Sequence, residues 1–436
     1  MKYKKILMTL ILSLCMLVSV YSQNVKGDSL TLQQAIKLTL TNQPLIKQAS
    51  EEINAAEAKV KAQNSYYYPR VDGDISYTRI GPIPTIQFGG LGFTLAPANN
   101  YNANVSASQL VYDFGKKNAL MDLVKSYKLS TEDKLVLVKH NLSYQTAQVF
   151  YILLFLEKSI KVKDEQINTL KQHIEVANKK VQSGSATDFD VLTTEVRVAS
   201  AENEKIDIEN SFNKEKIYLE SLLGWPAGKE LKLVGDFKED STSSVNTVSL
   251  VDDAFQKRPE MKLARDAENS AAVSKQVASL TDRPTVSIIA SYGFKNGYEP
   301  NLDVLRGNWA AGINASIPIF NGNIKDARVE EAEANLKSSS AKILELERTI
   351  RAQVEQAATD LKASRSKVRT SEIQVKHAKD AVSRAEISYR DGVITNLDLI
   401  DAETSLAQAE LLRLKVSFQN VINMFSLKEA IGEPLN

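Results

Sequence analysis

Lys116 to Gln182 reads KKNALMDLVKSYKLSTEDKLVLVKHNLSYQTAQVFYILLFLEKSIKVKDEQINTLKQHIEVANKKVQ, with no glycine or proline in it. Those two residues are the strongest helix breakers. As one helix of about 67 residues rising about 1.5 Å each, the stretch spans roughly 100 Å, far beyond the helices of ordinary globular domains. Lys325 to Arg390 is equally free of both residues. Within it Leu361, Ser364, Val368, Ser371, Val375, Ala378, Val382, Ala385 and Tyr389 step by three and four. Ile160, Ile167, Leu170, Ile174, Ala177 and Val181 keep the same phase in the first stretch, with Lys163 interrupting once. A sustained 3.5-residue period predicts a left-handed coiled coil, here an antiparallel one. Small seam residues allow a close approach. Pairs such as Glu347–Arg351 and Glu175–Lys179 suit solvated faces and add only tenths of a kcal/mol each.

Outward from these rods, the chain repeats itself. Pro44 and Pro259 lie 215 residues apart, as do Pro69 and Pro284. Further on the offset is 208: Gly184 matches Gly392, Asp190-Val191-Leu192 matches Asp398-Leu399-Ile400, Glu195 matches Glu403, and Leu223-Gly224 matches Ile431-Gly432. The offset changes between Pro69 and Asn104, where the first copy has a longer loop. So many matches in order indicate an internal duplication. Each half is expected to run as a helix (30–65; 251–281), two strands, a very long helix (116–182; 325–391), a glycine turn and a return helix (191–223; 399–431). The first repeat is placed at 23–224 and the second at 251–436. Between them, 225–250 reads as a linker, with Pro226, glycines and a Ser/Thr cluster.

The strands are expected at about 70–80, 101–112, 285–295 and 308–319, and each alternates apolar with polar residues. Val286, Ile288, Ala290, Tyr292 and Phe294 interleave with Thr285, Ser287, Ile289, Ser291 and Gly293; Trp309, Ala311, Ile313, Ala315 and Ile317 interleave with Asn308, Ala310, Gly312, Asn314 and Ser316. Tyr101, Ala103, Val105 and Ala107 alternate with Asn102, Asn104, Ser106 and Ser108, and Val71, Ile75 and Tyr77 do so more loosely. Successive strand side chains point to opposite faces, so each strand has one apolar and one polar side. A half-buried sheet in a soluble domain is the commoner source of that pattern. Here the strands have the length a tilted strand needs to cross a bilayer, and Tyr66, Tyr67, Tyr68, Tyr101 and Trp309 gather at strand ends like an interfacial girdle. Four strands cannot close a barrel, and an open edge in lipid leaves backbone groups unsatisfied. A membrane reading therefore requires several chains to complete one wall.

Composition narrows the function. The 436 residues are 43% hydrophobic and 25% charged, with 54 basic against 53 acidic side chains. A mean hydropathy of −0.23 and only one long apolar run exclude a multi-span helical membrane protein. Near-neutral charge supplies no basic surface for nucleic acid. Lys2, Lys4 and Lys5 precede an apolar run from Ile6 to Val20, which predicts a secretory signal peptide over 1–22. Cys15, the only cysteine, falls inside it, so the exported chain has no disulfide. Its charge balance becomes 51 basic against 53 acidic groups once the three lysines are removed. No nucleophile elbow, phosphate loop, C-x-x-C or H-E-x-x-H pattern occurs, and His140, His173 and His377 stand alone on long helices. No enzyme, cofactor or metal site is expected.

The duplicated half, the two strand pairs, the two long hairpins and the matched tips together resemble the TolC-like outer membrane efflux protein family over nearly the whole exported chain. The tips read Val181-Gln182-Ser183-Gly184-Ser185-Ala186-Thr187-Asp188-Phe189-Asp190-Val191-Leu192 and Tyr389-Arg390-Asp391-Gly392-Val393-Ile394-Thr395-Asn396-Leu397-Asp398-Leu399-Ile400-Asp401-Ala402. The resemblance implies a mainly α fold with a β-barrel contribution. It implies a homotrimer, where strand counting alone allows a dimer or trimer. Four transmembrane strands per chain would complete a 12-stranded barrel in the outer membrane of a Gram-negative bacterium, and the hairpins an α-barrel tunnel through the periplasm. The partners implied are outer-membrane lipid, a periplasmic adaptor protein and an inner-membrane pump of RND, ABC or MFS type. The duct would be a passive exit of an efflux or type I secretion system, gated at its tips.

Matched residue by residue, Tyr389 and Asp190 look like one inter-helix link of the periplasmic gate, and Asp398 and Asp401 like the acidic residues of its constriction. Gly184, Ser185, Gly392 and Val393 look like the turns that dock the adaptor. An arginine common in the family a few residues past the tyrosine is Ile394 here, and Phe189 holds its partner position. Closure is then expected to lean more on apolar packing. Read without the resemblance, Asp190 and Asp398 stand where helix N-caps would, and the glycines are turn residues. Two rivals stay open: a periplasmic adaptor, which predicts one hairpin flanked by soluble β-domains, and a structural coiled-coil spacer.

Overall fold

A computed structural model describes residues 29–226, 228–229, 231–237 and 247–435. The expected signal peptide and part of the expected linker lie outside the described residues. In chain order the elements are α1 (Leu32–Asn42), α2 (Pro44–Asn64), a 3₁₀ turn (Ser65–Tyr67), β1 (Arg70–Arg79), β2 (Thr85–Phe88), β3 (Leu91–Thr94), β4 (Asn99–Tyr112), α3 (Lys116–Gln182) and α4 (Asp188–Leu223). The second half follows as α5 (Thr247–Lys257), α6 (Pro259–Ser279), β5 (Thr285–Lys295), β6 (Arg306–Ser316), α7 (Ile324–Arg390) and α8 (Asn396–Ala430). Both 67-residue rods form as single helices.

The first helix of each half is broken where one continuous helix was expected. Pro44 and Pro259 each open a new helix, and the residues before them, Gln43 and Arg258, are extended at φ −69°, ψ 125° and φ −65°, ψ 126°. A proline ring excludes its predecessor from the helical region while its own fixed φ suits a first helical position. The two prolines used to align the repeats are thus the breaks themselves. The long loop of the first copy also holds a hairpin that the sequence reading missed: β2 and β3 turn through Gly89 and Gly90, both at positive φ. Two successive left-handed residues make the two-residue turn that fits strand twist.

The chain divides into two compact units. One contains the described part of Met1–Leu38 together with Thr146–Phe237. In it the distal part of α3 pairs with α4 through Lys171–Glu202 and Lys205–Asp164 ion pairs of 2.8 Å each. Lys163, the seam interruption, is buried, and its ammonium reaches Glu204 and Gln166. Burial of a cation is tolerated because the charge is paired. Leu30 and Leu233 form a parallel bridge, and Gly235 lies against Phe150 and Leu154.

The other unit holds Thr39–Gln145 and the described residues from 247 onward. Its hairpin α7–α8 buries Leu361, Ser364, Val368, Ser371, Val375 and Val382, the expected seam, whereas Ala378, Ala385 and Tyr389 toward the tip are half-buried. Ser364 donates to the Asn420 side chain at 2.9 Å, so the polar seam residue is satisfied across the helix pair. Above it α5 and α6 pack on the rods through Val251, Ala254, Met261, Ile350, Val354 and Leu427. The same unit carries a four-stranded antiparallel sheet ordered β1-β4-β5-β6. Its middle pair, β4 and β5, joins the two repeats.

Candidate functional site

The sheet separates two chemistries. Cross-strand partners place Val71 with Ala107, Ile75 with Ala103, Tyr77 with Tyr101, Ile288 with Ile313, and Tyr292 with Trp309 on one face. The opposite face pairs Asp72 with Ser106, Asp74 with Asn104, Ser76 with Asn102, and Ser287 with Asn314. The apolar side chains are solvent-exposed in the single chain: Trp309 by 77% and Ile313 by 76%. An exposed apolar face this continuous requires a cover of its own kind.

Aromatics line both ends of that face. Tyr77, Tyr101, Tyr292, Phe294 and Trp309 cluster at the end remote from the helices, with Tyr77 and Tyr101 rings 5.2 Å apart. Tyr112 and Phe114, 4.7 Å apart, mark the helical end, near the expected Tyr66, Tyr67 and Tyr68. Tyr67 is tied down there, donating to Asn118 at 2.6 Å beneath the Lys117 ammonium. Tyr101 and Tyr112 are eleven residues apart, roughly 37 Å of strand at ~3.4 Å per residue. At a tilt of about 40° this is about 28 Å of height, close to the apolar band of a membrane barrel. The sequence reading found Tyr101 and Trp309 but missed Tyr77, Tyr292, Phe294, Tyr112 and Phe114. Register across strands, which one strand cannot reveal, groups them.

Both strand-to-rod joints use two successive left-handed residues, Phe114-Gly115 (φ 56° and 91°) and Gly322-Asn323 (φ 70° and 61°). Asp113 caps α3, accepting from the Lys117 N–H at 2.6 Å. The repeats keep the backbone turn while exchanging which residue is glycine.

At the tips, the helix starts correct one expectation. Thr187 and Thr395 are the N-caps, so α4 and α8 begin three residues before the expected 191 and 399. Asp190 and Asp398 sit at the third helical position and complete capping boxes. The Thr187 N–H and hydroxyl donate to Asp190 Oδ2 at 2.9 and 2.8 Å, and those of Thr395 to Asp398 Oδ2 at 2.9 and 2.6 Å. Helix start signals follow a Ser/Thr-x-x-acid pattern, which a reading centred on the aspartates alone overlooks. The Thr395 hydroxyl and N–H hold the Asp398 carboxyl below the ordinary range. Asp401 is exposed one turn on, and Tyr389 is half-buried in the last turn of α7.

The rods end alike. Ser185 N–H donates to Lys180 C=O and Val393 N–H to Ser388 C=O, both at 2.8 Å, with Gly184 and Gly392 left-handed at φ 74° and 75°. Both are Schellman turns. They present apolar side chains to water: Phe189 (72% exposed) and Leu192 on one tip, Val393 (76%) and Leu397 on the other. Among the described residues no group of three acidic, histidine or cysteine side chains could hold a metal, and no helix is long and apolar enough to cross a membrane.

Comparison with known proteins agrees with this geometry. The outer membrane efflux protein family profile matches residues 35–225 and 250–433. A probable efflux pump outer membrane protein of Pseudomonas putida, TtgC, is 23% identical over 92% of this chain and 82% of its own length. The alkaline protease secretion protein AprF of Pseudomonas aeruginosa is 24% identical over 73% of this chain and 67% of its own. The solved structure of CusC superposes with a TM-score of 0.79 over 92% of both chains at 18% identity.

Proposed function

The chain belongs to the outer membrane efflux protein family, and on that premise we propose that three copies join edge to edge as the passive exit duct of an efflux or type I secretion assembly. Its place is the outer membrane of a Gram-negative bacterium. The observation that carries the shared barrel is the pair of open edges, β1 and β6, and membership of the family favours three copies over two. All three pairings are antiparallel, so β6 of one copy runs antiparallel to β1 of the next. Twelve strands then alternate without a break, and no edge is left unsatisfied in lipid. The apolar face turns to the bilayer and the Asp72, Asp74 and asparagine face to a wet lumen. Native mass spectrometry of protein extracted from outer membrane should give three chains that conduct in a planar bilayer. A stable monomer soluble in plain buffer would sink the reading.

The relatives' names divide between efflux and protease secretion, so the cargo is set by the energised partner in the inner membrane, an RND, ABC or MFS pump. A periplasmic adaptor is the fitting partner for the tips, where Gly184, Ser185, Gly392 and Val393 offer rigid turns beside exposed Phe189, Leu192 and Leu397. Asp190, Tyr389, Asp398 and Asp401 form the gate. Asp398 and Asp401 are three apart on α8 and share a side, so threefold symmetry stacks two rings of negative charge. Asp398 stays ionised into the acid range because Thr395 holds it. Asp401→Ala removes one ring without touching the capping box and should weaken block by multivalent cations severalfold in single-channel recordings. Unchanged block would remove Asp401 from the gate.

A further inference from the structure

Away from barrel and tips, two carboxylates meet across the repeats. Asp133 on α3 is 4% exposed, and Asp266 on α6 is half-buried. The Asp133 Oδ1 accepts from the Lys262 ammonium at 2.7 Å. Asp133 Oδ2 and Asp266 Oδ2 are both shut off from solvent without a hydrogen-bond partner, and Lys262, one turn before Asp266 on the same side of α6, brings the two carboxyls against each other. Two such acceptors cannot satisfy one another. A single proton between them satisfies both.

We propose that Asp133 and Asp266 share one proton and form an acid-set clasp between the first-repeat helix α3 and the second-repeat helix α6. The position gives the clasp leverage. Asp133 lies 17 residues into α3, about 25 Å below the end of β4, and Asp266 lies 13 residues before the end of α6, about 20 Å below β5. The clasp thus ties the helices that feed the two central strands. One turn along α6 from Asp266, Ser270 donates to Ser126 at 3.0 Å, a second polar link on this seam.

The surrounding charges leave one proton to bind. Lys262 offers one positive charge against two carboxylates. Glu132 faces Lys262 but is held by Lys128, which also reaches Glu57 of α2 at 3.0 Å. Lys134 is taken by Glu52 of α2 at 2.8 Å. From α7, Ser340 donates to Glu268, two residues along α6 from Asp266. Burial, followed by the contact with Asp133 and its charge, pushes the Asp266 carboxyl up from 3.8 to about 6. With the folded value above the unfolded one, the clasp's contribution is complete below the ordinary carboxylate range and is lost as pH rises through about 6. Above that, two like charges lie side by side in a site with one cation.

The test is hydrogen exchange on the full chain in detergent, with rates corrected for their intrinsic pH dependence. Amides of α6 around Asp266 should exchange at least tenfold faster at pH 7.5 than at pH 5 in the native protein. Asp266→Asn supplies a permanent donor to Asp133 and should keep acid-like protection at both values. Glu429→Gln is the control, because burial also raises Glu429; it should leave the α6 dependence intact. His140 acts with the opposite sign, since burial lowers it. Exchange at α6 that is independent of pH in the native protein overturns the clasp. So does an Asp266→Asn variant that keeps the native dependence or exchanges faster at pH 7.5.

Discussion

Ile313→Arg should leave almost no assembled oligomer in the outer membrane, while Asn314→Arg, one residue on, should assemble at near-native levels. The two positions are neighbours on β6 and differ in the face they occupy. Ile313 pairs with Ile288 on the apolar side and is 76% exposed; Asn314 pairs with Ser287 on the polar side. An arginine on the lipid face of a barrel costs about 2–4 kcal/mol near the bilayer midplane, and the proposed trimer would carry it three times. That total rivals the whole stability of a typical domain. The same arginine in the wet lumen keeps its hydration and costs little. Heat-modifiable oligomer on gels of outer-membrane fractions reads the difference. Equal tolerance of both, or failure of Asn314→Arg alone, would mean that the sheet faces are reversed or never meet lipid. A one-residue slip of register produces that reversal, which makes the pair a test of register as well as of burial.

The rods and strands were legible because each is written in a simple period. Freedom from glycine and proline over 116–182 sets helix length directly, and α3 occupies those residues. Alternation fixed β5 at 285–295. The seam of Leu361, Ser364, Val368, Ser371 and Val375 is buried as the heptad requires. Less was legible where a position's meaning depends on a distant or preceding residue. The break at Pro44 and Pro259 is local chemistry that a helical period across the proline conceals. Asp190 and Asp398 were noticed for their charge, but the threonine three residues earlier decides where each helix starts. The Asp133–Asp266 contact joins residues 133 positions apart on opposite repeats, and neither stands out among 53 acidic side chains. Charge patterning along one helix cannot expose a pair made by two.

Gly432 shows how a residue read only as a repeat landmark becomes a point of close backbone packing. It ends α8 in the left-handed region at φ 73°, with Glu433 N–H donating to Lys428 C=O at 2.9 Å. Gly184 and Gly392 end their helices in the same way, and a methyl group on either would meet nothing within 4 Å. On Gly432 it would lie 2.7 Å from the Arg258 nitrogen and 2.8 Å from the Lys257 carbonyl carbon. These are backbone atoms at the proline break between α5 and α6, so no side chain can swing aside. Arg258 is itself fixed there, its guanidinium on Glu260 and Gln353, while Tyr144 holds the Glu433 carbonyl at 2.7 Å. Gly392→Ala incurs the left-handed penalty alone, about 1–2 kcal/mol. Gly432→Ala adds overpacking of about 1–3 kcal/mol, for a total of roughly 2–5 kcal/mol. Its melting temperature should fall well below that of Gly392→Ala, and limited proteolysis should open first near Lys257. The C-terminal turn would then be the wedge that holds the broken helix against the rods. Equal melting temperatures for the two variants would show that α5 and α6 can move away from the turn at little cost.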